Sequence, residues 1–183
     1  MNDSKHDSNT LWLSILWGQF GAAIDMLENA LQKCPPDLWA APLWDDPASP
    51  PGLSEFWYVS YHTLFWLDLY LSGAVEGFTP PPPFTLDELD SAGVLPERQY
   101  SREELLTYLA HCRSKCRQTI GALTDESIRQ RCVFPWGEVS FAELLLDNMR
   151  HVQEHGAQLN LVLGQKAGIT NHWTTTTSED YGC

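Results

Sequence analysis

The chain has 183 residues, which favours one domain, because a single hydrophobic core commonly serves about 100–200 residues. Hydrophobic residues make up 43% and charged residues 19% of the chain, a composition that excludes wholesale disorder. The formal net charge of -13 argues against nucleic acids and anionic membranes as partners, because both carry phosphates that an acidic surface repels.

The cysteines and the N-terminal residues give information on the cellular location of the protein. An odd number of cysteines without a CxxC spacing does not indicate a disulfide framework or a zinc ribbon, and it favours a reducing setting. Residues 1–10 lack the basic and then apolar pattern of a signal peptide, and no apolar run reaches the roughly 18–20 residues of a membrane span. We therefore expect a soluble cytoplasmic protein. The five cysteines are Cys34, Cys112, Cys116, Cys132 and Cys183.

The first predicted helix is amphipathic and begins at Thr10, after a polar stretch over residues 1–9 that is expected to form a flexible arm. From Thr10 to Leu31 the apolar residues recur at steps of three and four, which is the pattern of a helix with one buried face. Pro35 and Pro36 end this helix, since proline lacks a backbone N–H and clashes with the preceding turn.

A second helix is predicted from Ser54 to Leu71, after an ordered but irregular proline-rich loop over residues 35–53. It ends before Gly73. Its aromatic residues are spread all round the helix, which predicts a helix that is central or is covered by a partner chain. His62 shares an arc with apolar residues, so its side chain is predicted to point inward.

A long connection over residues 72–100 follows the second helix. Its four consecutive prolines, Pro80 to Pro83, predict a stiff polyproline II segment. Connections of this length in compact domains are often functional or cover a site, which makes this one a candidate cover.

The third predicted helix begins at Ser101, which forms a capping box with Glu104 three residues later. Cys112 and Cys116 have the i, i+4 spacing of a ligand or redox pair. However, they lie on the apolar stripe of this helix, so we interpret both cysteines as small buried hydrophobic residues.

The fourth predicted helix follows a turn over residues 134–137. Ser140 and Glu143 form a second capping box at its start, and the helix is predicted to run to about Leu163. Residues 166–183 are polar and are predicted to form a flexible tail.

Four amphipathic helices, with no convincing segment of alternating strand character, predict an all-α four-helix bundle over residues 10–165 with long proline-rich connections. The chain has neither a GxSxG motif nor a phosphate-binding glycine pattern, so it indicates neither a serine hydrolase nor a nucleotide site.

Six histidines are present, and three of them are predicted to face inward. His6 and His172 lie in the predicted flexible ends and His111 on a polar helix face, so these three are interpreted as solvated. The inward three are His62, His151 and His155.

His151 and His155 are one helical turn apart, so their rings lie on the same face. Two histidines at this spacing also occur without any metal, with one ring hydrogen-bonded in the core and the other exposed. A third inward histidine, His62, favours a shared metal ion, because a buried imidazole without a partner costs about 1–3 kcal/mol. A metal bound at about 2.0–2.1 Å would satisfy all three rings together.

Three imidazoles suit Zn, Ni, Fe or Cu rather than Mg or Ca. No fourth protein ligand is evident, and a three-ligand site leaves a coordination position open for water or substrate. Asn148 and Gln158 lie on the same helix face, three residues either side of the histidine pair. They are either supporting groups for the ligands or polar residues at the rim of the bundle.

The last helix resembles that of the DinB/YfiT-like superfamily over residues 136–140 (WGEVS) and 148–158 (NMRHVQEHGAQ). The inward His62 matches the first metal histidine of that family. Residues 17–20 (WGQF) up to Leu31, with the two prolines that follow, are similar to its first helix and the next loop. The resemblance covers residues 10–165.

The resemblance implies a four-helix bundle of up-down-down-up topology that holds a divalent metal, most naturally Zn or Ni, with Fe as a further candidate. His62, His151 and His155 would be its ligands. It also implies a homodimer, and a small thiol as cosubstrate, because relatives include thiol-dependent S-transferases and isomerases. Family helices often carry a basic residue before the Gly and Gln, whereas this chain has residues 156–158 as Gly-Ala-Gln, which puts an anion contact from this turn in doubt.

The resulting functional prediction is a metal-dependent enzyme, either a thiol-dependent S-transferase or a hydrolase that uses the open three-histidine site on a small-molecule substrate. The alternative is a non-catalytic dimeric metal-binding or stress-related helical bundle.

Overall fold

The computed structural model describes residues 3–45 and 50–179, and this part of the chain contains four α-helices and one two-stranded sheet. The helices are α1 (Asp3–Lys33), α2 (Phe56–Ser72), α3 (Arg102–Gly121) and α4 (Phe141–Ala167). The strands are β1 (Arg131–Phe134) and β2 (Gly137–Ser140). None of the described helices is long and apolar enough to cross a membrane.

Helix α1 is longer than the sequence pattern indicates. Its backbone is already helical at Asp3, so residues 3–9 belong to the helix rather than to a flexible arm. This stretch contains neither proline nor glycine, so nothing in it interrupts the hydrogen-bond ladder. The helix ends at Lys33, before the predicted proline stop. Residues 1 and 2 of the predicted arm lie outside the described residues.

Helix α2 is the central helix of the molecule. Nearly all of its side chains are buried within the single chain, so no partner is needed to cover its aromatic residues. It ends at Ser72, and Gly73 caps it with a left-handed φ of 74°, a conformation that glycine adopts without a steric penalty.

Both predicted capping boxes are present. Ser101 and Glu104 cap α3, and Ser140 and Glu143 cap α4, with the serine hydroxyl and the glutamate carboxylate each accepting a backbone N–H hydrogen bond. These reciprocal bonds satisfy backbone donors that the first turn leaves free. The starts of both helices are therefore set by local sequence.

Helix α4 runs four residues beyond the predicted end at Leu163. It ends at Ala167, and Gly168 takes the left-handed conformation with φ 66°. The N–H of Ile169 donates to the carbonyl of Leu163 at 3.1 Å and that of Gly168 to Gly164 at 3.2 Å. The bond from Gly168 to Gly164 is the 5→1 bond of the αL capping motif, in which the residue after the helix takes a positive φ and Gly164 stays helical.

The predicted turn over residues 134–137 is the tip of a β-hairpin, so the expectation of a purely all-α chain is wrong in this detail. Strands β1 and β2 pair antiparallel from Arg131↔Ser140 to Phe134↔Gly137. The chain is mostly helical with this small sheet between α3 and α4. With four residues in each strand, the alternation is too short to stand out in the sequence.

Helices α1 and α2 each pack against both α3 and α4. Arg113 of α3 pairs with Asp25 of α1 at 2.5 Å. Asn148 of α4 donates its side-chain N–H to the carbonyl of Leu67 in α2 at 3.1 Å. A β-carbon at Gly156 of α4 would lie 3.8 Å from the backbone of α1, so this glycine marks the close approach of α1 and α4.

The connection between α2 and α3 does not form a straight proline strut. Phe84 N–H donates to the carbonyl of Pro81 at 3.0 Å, which makes a turn inside the proline run, and the Pro82–Pro83 peptide bond is cis. The chain then forms a short 3-10 helix, Asp87–Leu89. This arrangement returns the connection to the side of α2.

The C-terminal segment is packed against α1 rather than flexible. We name residues 170–179 the C-terminal strap. Within it, the N–H of Thr177 donates to the carbonyl of Gly18 at 3.0 Å, and Trp17 donates its indole N–H to the carbonyl of Glu179 at 3.0 Å. Thr177 is buried. Residues 180–183 of the predicted tail lie outside the described residues.

Candidate metal centre

The three histidines that the sequence pattern selects come together between α2 and α4. His62 comes from α2, and His151 and His155 come from successive turns of α4. One ring nitrogen of each lies within 4.8 Å of those of the other two. The two Nε2 atoms of His62 and His151 are 3.3 Å apart.

Helix packing places these side chains. Asn148 lies one turn before His151, is fully buried, and ties α4 to α2 through its hydrogen bond to Leu67. The interpretation of Asn148 as a polar residue at the rim is therefore wrong. Its bond fixes α4 against α2 at the level where His62 faces His151.

The far side of two rings carries a defined hydrogen-bond partner. His62 Nδ1 lies 2.7 Å from Glu88 Oε2, and His155 Nδ1 lies 2.7 Å from Gln158 Oε1. An ionised carboxylate can only accept, so His62 carries a hydrogen on Nδ1. In the neutral ring, Nε2 then carries no hydrogen, and its lone pair is directed at the other histidines.

The ring of His151 is largely enclosed, and its Nδ1 atom is buried. Burial, followed by the nearby His62 and His155, lowers the pKa of His151 to about 3. Burial likewise lowers the pKa of His155, and the hydrogen bond that the ring makes to Gln158 Oε1 opposes this effect. Both rings are therefore neutral near pH 7, the form in which imidazole binds a metal.

The residues present fit a transition-metal ion. Two nitrogens bound at about 2.0–2.1 Å to one tetrahedral ion are about 3.3–3.4 Å apart, which matches the 3.3 Å between His62 and His151. His151 Nδ1 is buried without a hydrogen-bond partner among the described residues, so no acceptor holds that ring in another orientation. An all-imidazole set is typical of Zn, Ni, Fe and Cu sites.

Glu88 is a site residue that the sequence did not reveal. Its side chain is 4% exposed, and its Oε2 also accepts the indole N–H of Trp66 at 3.0 Å. Burial opposes its ionisation, but the interactions with His62, Tyr58 and Trp66 together outweigh that effect and hold the pKa of Glu88 below its usual value. Only the length of the connection pointed to this region, because no spacing links Glu88 to a histidine.

Aromatic rings surround the histidines on the side of α2. The ring centroids of Tyr58 and Trp66 lie 6.4 and 6.3 Å from that of His62, and the ring of Tyr70 lies 6.4 Å from that of His151. Trp136, at the hairpin tip, donates its indole N–H to the Tyr70 hydroxyl at 3.0 Å. These rings give this side of the centre an aromatic lining.

Among the described residues, no further histidine or cysteine belongs to this group. His111 is 45% exposed and 3.5 Å from Asp68, and His172 is exposed. The side chain of His6 lies outside the described residues. Cys112 and Cys116 are both 0% exposed, in accord with the prediction of small buried hydrophobic residues.

Comparison with known protein families gives one finding that bears on the centre. A family model described as the DinB superfamily matches residues 19–159, more than half of the chain. The matched range includes the three histidines and Glu88. A comparison with curated proteins gives no match.

Proposed function

The chain belongs to the DinB superfamily, and on that premise we propose that it is a metal-dependent enzyme whose His62, His151 and His155 hold one divalent transition-metal ion. The observation that carries the proposal is the convergence of three ring nitrogens within 4.8 Å of one another. The neutral state of His151 and His155 supports it, because protonated imidazoles cannot bind a metal. Zn and Ni are the proposed ions, with Fe as the next candidate.

The proposed reaction is the transfer of a small thiol to an electrophilic acceptor. When bound, a divalent ion with an open position lowers the pKa of a thiol or water beside it. The thiol would lose its proton to solvent, its sulfur would form a bond to the acceptor, and the leaving group would depart with the bonding electron pair and take up a proton from solvent. Tyr58, Trp66 and Tyr70 support this proposal, because their rings place apolar surface beside the histidines, which is typical of sites that bind small molecules. Hydrolysis, with water in place of the thiol, is the second reaction that the same site would support.

We also propose that the four helices run up-down-down-up. Contacts between α1 and α4 advance in the same direction along both helices, because Trp12 lines a cavity with Ala142 and, further along, Leu27 lies next to Gly156. Contacts between α2 and α4 advance in opposite directions, because His62 lies next to His151 whereas Leu67, later in α2, bonds to Asn148, earlier in α4. These pairings support parallel α1 and α4 with α2 running the opposite way.

A homodimer is the proposed assembly. An apolar cavity of about 460 Å³ lies between the first half of α1 and the start of α4. Side chains on its rim are unusually exposed for their size, with Trp12 at 65%, Leu146 at 50% and Ile15 at 45%. Contiguous exposed apolar surface of this kind favours an interface, and a second copy of the chain would bury the same face on both partners.

Elemental analysis of protein purified without a histidine tag tests the proposed metal site. We expect about one transition-metal ion per chain in the wild type. His155→Ala should lose it, and His111→Ala, which alters an exposed histidine outside the group, should keep it. Wild-type protein that binds no ion even after incubation with Zn or Ni would contradict the proposal.

Catalysis needs a separate measurement. Consumption of small thiols in the presence of electrophilic acceptors should depend on the bound ion and disappear in His155→Ala. A metal-loaded protein that is inert toward a broad panel of thiols, acceptors and esters would support the non-catalytic metal-binding bundle instead.

A further inference from the structure

Glu88 is the one acidic side chain that contacts a histidine of the centre from outside α2 and α4, among the described residues. It lies in the short 3-10 helix Asp87–Leu89 of the long connection. Its Oε2 is 2.7 Å from His62 Nδ1 and 3.0 Å from the indole nitrogen of Trp66. The side chain is 4% exposed, so the carboxylate is buried, and both of these donors bind its Oε2 atom.

A neutral imidazole has one hydrogen, and its position decides which nitrogen can bind a metal. Because an ionised carboxylate only accepts hydrogen bonds, the contact with Glu88 keeps that hydrogen on Nδ1 of His62. The opposite nitrogen, Nε2, is the one that lies 3.3 Å from Nε2 of His151. The carboxylate thus leaves the lone pair of His62 pointing into the group of histidines.

We propose that Glu88 is a positioning residue for His62, which fixes the ring in its Nδ1–H tautomer and so makes the metal affinity depend on the folding of the 72–100 connection. This inference rests on the proposed function, since it assumes that the three histidines bind a metal. A carboxylate behind a ligating imidazole orients the ring and strengthens it as a ligand, and loss of such a partner typically lowers metal affinity about 10–100-fold.

The connection that carries Glu88 is itself fixed by contacts with α2 and α3. The hydroxyl of Tyr61 donates to the carbonyl of Thr85 at 3.1 Å, and the Thr85 hydroxyl donates to Asp87 at 2.5 Å. The ring of Phe84 stacks on that of Tyr108 of α3 with centroids 4.3 Å apart. These contacts set the position of the 3-10 helix, so Glu88 reaches His62 only when the connection is folded.

Dissociation constants for Co²⁺ and Zn²⁺, from competition with a chromophoric chelator, test the effect on affinity. We expect Glu88→Ala to bind both ions about 10–100-fold more weakly than the wild type. Glu88→Gln keeps the shape and an oxygen that accepts the Nδ1 hydrogen, so it should lie between the two and rescue most of the binding. Glu97→Ala, at an exposed glutamate of the same connection, should bind like the wild type.

The tautomer of His62 in the metal-free protein is a second readout, which a merely structural role for Glu88 would leave unchanged. Long-range ¹⁵N–¹H NMR correlations should show the Nδ1–H form in the wild type and a mixture of both forms in Glu88→Ala. If the alanine variant does not fold, the glutamine variant gives the same comparison with a smaller change.

The possible failures are distinguishable. Wild-type affinity in Glu88→Ala, together with loss of binding in His155→Ala, would overturn the role of Glu88 and leave the metal site standing. An Nε2–H tautomer of His62 in the metal-free wild type would overturn it too. A wild type that binds neither ion would overturn the metal site and the affinity effect with it, and the NMR result would then decide whether Glu88 orients the ring.

Discussion

Glu104 shows how one charged residue can be tied to the start of a helix. Its carboxylate accepts hydrogen bonds from the guanidinium of Arg98 and from the backbone N–H of Ser101. The contact with Arg98, followed by the bond from Ser101, lowers the pKa of Glu104 to about 2. As the pH falls, the unfolded chain therefore takes up this proton before the folded chain does.

This difference predicts a pH-dependent effect of Glu104→Gln. Glutamine can still close the capping box but lacks the charge, so the wild type should be more stable than the variant above pH 4.5, the ordinary pKa of the group. The gap in the free energy of unfolding should shrink as the pH falls from 4.5 toward about 2.

Urea unfolding of both proteins across this pH range measures the gap. Glu97→Gln, at an exposed glutamate a few residues away, serves as the control for the loss of one negative charge. A gap between wild type and Glu104→Gln that does not change with pH would contradict the assignment of a lowered pKa.

At the scale of elements, α1 and the C-terminal strap fit together through small residues. A β-carbon at Gly21 would lie 2.6 Å from the methyl carbon of Thr177, and one at Gly18 would lie 2.9 Å from the hydroxyl of Thr176. Glycine inside a helix costs about 1 kcal/mol relative to alanine. The strap therefore requires at Gly21 a residue that α1 alone would disfavour.

Gly21→Ala should consequently have opposite effects in two backgrounds. In a protein shortened to residues 1–169, alanine should stabilise the fold by up to about 1 kcal/mol through helix propensity. In the full chain the same change should be neutral or destabilising, because Thr177 must move away from α1.

Thermal and urea unfolding should be measured for the wild type and Gly21→Ala, each in the full chain and in the chain shortened to residues 1–169. These four stabilities give the coupling between the substitution and the removal of the strap directly. Ala22→Gly, on the neighbouring residue, is a control that should cost a similar amount with and without the strap. Equal effects of Gly21→Ala in both backgrounds would show that the strap does not pack on α1 in solution.

At the scale of the whole molecule, the exposed apolar rim at Trp12, Ile15 and Leu146 should control assembly. Light scattering coupled to size exclusion should give the mass of a dimer for the wild type. Ile15→Glu should yield a monomer, because a charge in an apolar interface must be desolvated without a partner. Leu161→Glu, at a residue of α4 that is 60% exposed and not part of the cavity lining, should remain dimeric.

Monomeric wild-type protein at every accessible concentration would contradict the dimer. A monomer produced by Leu161→Glu but not by Ile15→Glu would place the interface elsewhere on the surface.

The sequence allowed prediction of those features that depend on residues close in the chain. Ser101 with Glu104 and Ser140 with Glu143 define helix starts through contacts three residues long, and both were found. His151 and His155 share a helix face by spacing alone, and the apolar arc around His62 indicated the direction of that ring. Convergence of all three required only that α2 and α4 pack against each other with these rings in the contact.

Features that depend on distant parts of the chain could not be predicted in this way. Glu88 meets His62 only because the proline-rich connection turns back on α2, and nothing in its local sequence distinguishes this buried glutamate from the exposed acidic residues of the same connection. The strap depends on the fit of Thr177 against Gly21, which is a matter of shape rather than composition. The long polar tail therefore resembled a flexible segment although part of it is packed.

The position of Trp66 gives the centre an optical reporter of its own. Its indole donates to the same carboxylate oxygen as His62, and the two ring centroids are 6.3 Å apart. A paramagnetic ion such as Co²⁺ or Cu²⁺ held by His62 would quench the emission of this indole. Subtracting the emission of Trp66→Phe from that of the wild type would remove the contribution of the other tryptophans and leave that of Trp66. Occupancy of the centre could thus be followed by intrinsic fluorescence in unlabelled protein.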